Sequence, residues 1–591
     1  MKQFFKMMFA SAFGFILSIV VLVILFIFGS VAVVGSLMSE NSNYKPDHKE
    51  VFELTLEGNL TDYADDDPFT SLWSEEKTLS VNEVLRAIKK AKETKAISGI
   101  YLNVKTFSAG VSSIDAIRRA LKDFRTSGKF VVSYADQYGQ GGYYLASCAD
   151  KVFMNPQGLL DIHGLSFSSM FYTGILKKIG VQMQIFKVGT YKGAVEPYML
   201  NKYSDANREQ LTSVATTIWD NMTENISKSR GITAADVNEF AEKGLMFGAQ
   251  EEAVSMGLID ELKYRHDAEL YIKEAAEQYD DDLDVAKLKQ ILNIKSKEVS
   301  AEDKIAVIYA QGEITQDETS SPSMNMEATI TEELAKRLRD LKEDEEVKAV
   351  VLRVNSPGGS AYTSDQIWKA MKELKTKKPV VVSMANVAAS GGYYISCAAN
   401  KIVAERNTLT GSIGIFGQFP NVAGLYDKLD LTTDVVKTNK FADFGDISRP
   451  MTEDEKALLQ AYIERGYDTF LSRCAEGRKM SKEAIDKIGQ GRVWTGEQAK
   501  DRGLVDEIGG LNDAINLAAT LADVSVYEVE ERSGSESLMD KLKNEFLVDV
   551  KVKIAREVMG DEMYKQACQL KRLRNSTGVM ARLPFEYNFA Q

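Results

Sequence analysis

The stretch ANVAASGGYYISCAANK, residues 385–401, sets Ser390 directly before two glycines and a run that can open a helix. A second stretch, SYADQYGQGGYYLASCADK at 133–151, keeps nearly the same frame but carries Gln140 where Ser390 stands. Ser133 and Ser383, Gly141 and Gly391, Tyr143 and Tyr393, and Lys151 and Lys401 all differ by 250 positions. That register extends outward, aligning GIYLNVKTFSAG (99–110) with AVVLRVNSPGGS (349–360), and FKVGTYK (186–192) with VKTNKFA (436–442). A fixed internal period marks a repeated structural unit. The chain therefore reads as a tandem duplication, with a first unit at 50–270 and a second at 303–520. Residues 271–302 are charged and read as a linker, and 521–591 as a C-terminal tail.

Within each unit, short apolar runs such as KIAVIYA, VKAVVLRV, PVVVSMA and NKIVAE alternate with amphipathic stretches such as SDQIWKAMKELKTKK. Alternation of strand and helix patterns predicts an α/β fold, a largely parallel sheet with helices packed on it. A length of 591 residues exceeds what one core supports, in keeping with two units.

The composition, 44% apolar and 27% charged, is that of a globular chain. A net charge of −13 argues against non-specific nucleic-acid binding, which needs a basic surface to displace counterions. The four cysteines, Cys148, Cys397, Cys474 and Cys568, show no CxxC spacing, so we expect free thiols and no zinc site. Neither a ligand cluster nor a nucleotide loop is present, and no metal or organic cofactor is expected. After Lys2 and Lys6 no charged residue occurs before Glu40, and the intervening run is apolar. A run of this length spans a bilayer and is longer than the apolar core of a cleaved signal peptide. We therefore expect a cytoplasmic N-terminus at 1–6, a transmembrane helix at 7–38, and the bulk of the chain on the extracytoplasmic side.

In the second unit, NSPGGS places Gly358 and Gly359 after a buried strand, where residues lacking a Cβ let backbone N–H groups approach a ligand. Ser390 stands at a strand-to-helix turn, the position of a nucleophile elbow, although a helix-capping serine would look the same locally. A serine hydroxyl needs a base, and the second unit holds no histidine. The candidates are His163 of the first unit or a lysine. Lys192 in VGTYKGAVEPY has Ala442 as its repeat partner, just as Ser390 has Gln140, and Ser108 and Ala109 replace Gly358 and Gly359. Each unit lacks what the other keeps, which suggests one composite site.

Taken together, NSPGG, AASGGYYIS, TLTGSIGI and VGTYKGAVEPY resemble the signal peptide peptidase A family in its long, two-unit bacterial form. The resemblance runs from the anchor to about residue 520 and implies tandem crotonase- or Clp-protease-like superhelical units. It further implies a membrane-anchored serine endopeptidase that degrades cleaved signal peptides, with Ser390 as nucleophile and Lys192 as general base. Gly359 and Gly391 would supply oxyanion N–H groups, and Ser412 would hydrogen-bond the lysine amine. The family also implies a homotetramer, peptide substrates, and a bacterial inner-membrane protein with its catalytic part on the periplasmic face. The competing readings are a catalytically silent envelope scaffold and a crotonase-like acyl-CoA enzyme. The dyad makes one physical demand. A free lysine has a pKa of about 10.4, so only about one in two thousand is neutral at pH 7, and burial must depress it.

Overall fold

The structure is a computed structural model, and it describes Gly14 and residues 44–46, 49–63, 78–279, 282–295, 301–316, 329–532 and 578–582. The expected anchor at 7–38 lies outside these residues apart from Gly14. Among the described residues no helix is long and apolar enough to cross a membrane.

The first repeat builds a seven-stranded sheet from β1 (Glu50–Thr61), β2 (Thr78–Ser80), β3 (Ile97–Ser108), β4 (Phe130–Ala135) and β5 (Lys151–Met154). It is completed by β7 (Glu261–Leu262) and β8 (Val285–Lys287), in the order β2-β1-β3-β4-β5-β7, with β8 beside β1. Every pairing is parallel. The strand β6 (Gln182–Lys187) leaves this sheet altogether and joins another.

The second repeat builds an eight-stranded sheet from β9 (Lys304–Gln311), β12 (Val347–Ser356), β14 (Val380–Ala389), β15 (Lys401–Ala404) and β16 (Leu409–Gly411). The strands β18 (Val493–Thr495), β19 (Glu507–Ile508) and β20 (Glu528–Arg532) complete it. Only the β16–β18 pair is antiparallel. A parallel sheet covered on both faces needs strands that are apolar throughout, which is what AVVLRV in β12 supplies. Val350 and Leu352 face the helices Glu333–Glu343 and Ala361–Leu374, and Ala349 and Val351 face the helix Leu511–Leu521. The first sheet repeats this arrangement, with Val51, Tyr101, Val132 and Phe153 against the helix Arg265–Ala275.

A third, six-stranded sheet joins the repeats: β11 (Thr329–Ile330), β10 (Glu313–Ile314), β13 (Gly358–Ser360), β21 (Gly578–Arg582), β17 (Phe416–Asn421) and β6, in that order. Within it β6 of the first repeat runs antiparallel to β17 of the second, with Phe186 opposite Gly417.

Two boundaries differ from those drawn on the sequence. Val285–Lys287, in the stretch expected as a linker, adds to β1, and Glu528–Arg532, in the expected tail, adds to β9. Both are edge strands with a short or half-exposed apolar pattern, so their sequences carry little sign of pairing. Three of the cysteines, Cys148, Cys397 and Cys474, are buried free thiols, and Cys568 lies outside the described residues.

Candidate active site

Ser390 directly follows β14 and precedes the short helix Gly391–Ser396, with φ 55° and ψ −112°. Such a backbone is strained for a residue with a Cβ and is held by its surroundings. The Ser390 N–H donates to the Gly411 carbonyl at 2.8 Å, and the Tyr394 N–H donates to the Ser390 carbonyl at 2.8 Å. A Cβ on Gly392 would lie 2.6 Å from the Ser356 carbonyl oxygen, so the turn can press against β12 only with glycine there.

Lys192 reaches this serine from the first repeat. Its loop follows β6 and is laced to the second repeat: the Val188 N–H donates to Ile415 O at 3.1 Å, and the Tyr191 N–H donates to Gln490 O at 2.8 Å. Gln210 fastens the loop from the helix Asp205–Arg230, donating to Tyr191 O at 2.9 Å and accepting from the Val493 N–H at 3.0 Å. Gly491, at φ 78°, packs its α-carbon against the Lys192 backbone, where a Cβ would meet Lys192 Cα and Cβ at 2.7 Å.

The lysine side chain is fully buried, and its Nζ lies 2.7 Å from Ser390 Oγ, 3.0 Å from Ser412 O and 3.1 Å from Ser412 Oγ. Burial among these neutral groups pushes the Lys192 amine well below the ordinary lysine range. A neutral amine has two N–H donors and one lone pair. With the donors directed at Ser412, the lone pair is left for the Ser390 hydroxyl. Ser412 is itself in the left-handed region, at φ 50°, and its N–H is tied to Arg492 O at 2.7 Å.

The glycines converge on the same point. Gly358 and Gly359 have φ of 97° and 153°. A Cβ on Gly358 would lie 2.6 Å from the Gly391 nitrogen, and one on Gly391 would lie 3.1 Å from the Gly359 nitrogen. The structure thus brings Ser390, Lys192, Ser412, Gly359 and Gly391 together. The other candidate base, His163, has its exposed ring 2.6 Å from Asp161. In the first repeat the equivalent position is filled by Gln140, whose Oε1 accepts from the His163 and Gly164 N–H groups at 3.0 and 2.9 Å. Sequence reasoning missed Gly491, Gln490 and Gln210. No local pattern ties these residues to Lys192, about 300 positions away for Gly491 and Gln490.

A buried serine at a strained strand-to-helix turn of a parallel α/β unit, with an amine at hydrogen-bond distance, is an arrangement suited to a serine proteinase. The family description "ClpP-like SDH-type serine proteinase" indeed matches residues 270–443. Peptidase family S49 matches residues 123–279 and again 372–525, and the chain belongs to this family as a serine endopeptidase built from two S49 units. Protease 4 of Haemophilus influenzae is 36% identical over 495 residues, covering 80% of this chain and 78% of that one. The chloroplastic serine protease SPPA of Arabidopsis thaliana is 33% identical over 510 residues, covering 83% of this chain and 72% of that one. A putative signal peptide peptidase SppA of Enterococcus faecium is 38% identical over 196 residues, 32% of this chain and 57% of that one.

Proposed function

We propose that the chain cuts peptides through a serine-lysine dyad divided between its two repeats. The reading is carried by one observation, the 2.7 Å contact between Ser390 Oγ and the amine of a fully buried lysine. Lys192 takes the hydroxyl proton as Ser390 Oγ attacks the scissile carbonyl carbon. The Gly359 and Gly391 N–H groups meet the charge that develops on the carbonyl oxygen, donors worth about 3 kcal/mol each in such sites. The lysine then hands its proton to the leaving amine, and water cleaves the acyl-enzyme by the same route in reverse. Ser412 holds the amine with its lone pair toward Ser390.

The test is turnover of a peptide panel by the full chain, its Ser390→Ala variant and its Lys192→Met variant. Either substitution should lower kcat by at least about 10³-fold with the circular dichroism spectrum unchanged. Comparable turnover after either substitution would overturn the dyad.

The substrates on this reading are remnant signal peptides, apolar segments with small residues at the cut. The likeness to the signal peptide peptidase SppA of Enterococcus faecium supports this, as does the apolar run at 7–38, which would anchor the chain in the bacterial inner membrane with the site on the periplasmic side. The assembly on this reading is a homotetramer, and the duplication itself supports association between copies. The counterpart of Phe186, 250 positions on, is Val436, which is 99% exposed where Phe186 is 8% exposed. Residues 432–437 of one copy would pair with residues 166–171 of the next, as β6 pairs with β17 inside the chain.

A further inference from the structure

Lys192 sits in a turn whose two ends are fastened to the same helix. On the N-terminal side, the Tyr191 carbonyl accepts from Gln210 Nε2 at 2.9 Å. On the C-terminal side, Glu196 reaches the start of the helix Asp205–Arg230, whose N-cap is Ser204. Its carboxylate accepts from the Ser204 hydroxyl at 2.5 Å, from the Ser204 N–H at 3.2 Å and from Asn207 Nδ2 at 2.8 Å. Asn207 closes the circuit, because its Oδ1 accepts from Gln210 Nε2 at 2.8 Å. Residues 204, 207 and 210 are spaced by three and share one face of the helix. Between the two fastened ends, Gly193 rests on the Asn207 amide, where a Cβ would lie 2.5 Å from Nδ2.

Glu196, Asn207 and Gln210 are all buried. Burying a carboxylate is costly unless donors replace its water, and Glu196 has three of them at a helix N-terminus, where the dipole favours negative charge. No cation is among these partners. The charge is thus compensated where it sits, and the lowering of the Lys192 amine comes from burial alone. The far end of the circuit meets the second repeat at a telling place. Gln210 Oε1 accepts from the N–H of Val493, which pairs with Gly411 across β16 and β18. Gly411 precedes Ser412, the residue that holds the amine, and its carbonyl accepts from the Ser390 N–H. One buried circuit therefore sets the lysine turn against the backbone that carries both of its partners.

We propose that Glu196 is a positioning residue for catalysis: through Asn207 and Gln210 it holds the Lys192 amine in line with Ser390 and keeps the turn closed to water. The inference rests on the dyad described above. The experiment is steady-state turnover of a reporter peptide by the full chain across pH, with Lys192→Met measured alongside. Glu196→Ala should lower kcat about 10²-fold while KM changes by less than about threefold. Because a loosened turn admits water to the amine, the acid limb of kcat/KM should also move toward 10.5, by at least about one pH unit. Glu196→Gln keeps an oxygen that can accept from Asn207 and from the Ser204 N–H, so it should recover kcat to within about threefold of the wild type and leave the acid limb in place. Asn207→Asp sets two carboxylates against each other and should lower kcat as Glu196→Ala does. Combining it with Glu196→Gln gives the pair an N–H to share and should restore turnover, a reading of the same circuit that stands even where Glu196→Ala does not fold. An unchanged kcat or an unmoved acid limb in folded Glu196→Ala, or no recovery in the combined variant, would overturn this inference and leave the dyad standing so long as Lys192→Met is inactive. An acid limb that moves as far in Glu196→Gln as in Glu196→Ala would make the charge the agent and would overturn it too. Turnover by Lys192→Met would overturn both.

Discussion

A lysine that keeps its proton cannot take one from a serine, so the protonation of Lys192 governs both turnover and stability. Because burial lowers its pKa in the folded chain, the acid limb of the pH profile of kcat/KM should lie well below 10.5, and Lys192→Met should abolish what it reports. The sign for stability follows from proton counting. Between the lowered folded pKa and the ordinary value of the unfolded chain, the unfolded state binds more protons, so stability should rise with pH across that window. It should be fully developed above the unfolded value and lost as pH falls toward the folded one. Urea unfolding at several pH values checks this, since the Lys192→Met chain should have a shallower slope there. Ser390 and Lys192 were legible as residues because duplication turns each missing group in one repeat into a signal in the other, whereas Ser412 was expected only from the family resemblance.

At the level of elements, the loop after β6 is held by glycine contacts that a local reading does not reveal. Gly491→Ala would drive a methyl group into the Lys192 backbone at a residue already at φ 78°. Displacing the amine by about 1 Å should lower kcat about 10²-fold. Gly503→Ala is the control. Its backbone is similarly strained, at φ 74°, but the only atom near its Cβ is Met480 Sδ at 3.5 Å. It should lose stability and retain kcat. The strands β9, β12 and β14 could be read from their apolar runs because both faces of a parallel sheet are covered. Neither the desertion of the first sheet by β6 nor the capture of residues 578–582 by β13 and β17 could be read so, since a short strand's pattern names no partner.

Across the whole molecule, the composite site requires the two repeats to keep one register, and a buried polar seam between them provides it. Arg353 donates to Asp62 at 2.8 Å, with both side chains almost wholly buried, and Asn407 donates to Asp115 at 2.7 Å. Asn386 of the second repeat accepts from the Ser113 N–H at 3.0 Å in the first turn of the helix Val111–Arg125, whose own cap residue, Gly110, offers no side chain. Arg353→Met would leave Asp62 charged and buried without its partner, a loss of about 3 kcal/mol. Asp62→Leu in the same chain should recover most of it, and denaturant unfolding of the two single variants and the double variant measures the coupling. At the outer face, Val436→Lys should weaken association between copies, read as a lower mass by light scattering. An unchanged mass would remove 432–437 from the interface.

By itself the sequence determined the duplication, the strand-helix alternation, and which residues had been lost from which copy, because these are properties of periodicity and register along the chain. The tertiary structure alone decided that Lys192 is dehydrated, that Gly491 packs against its backbone, and that residues 578–582 pair between β13 and β17. Dehydration and strand pairing depend on atoms brought together from hundreds of residues apart, and no local window contains both partners.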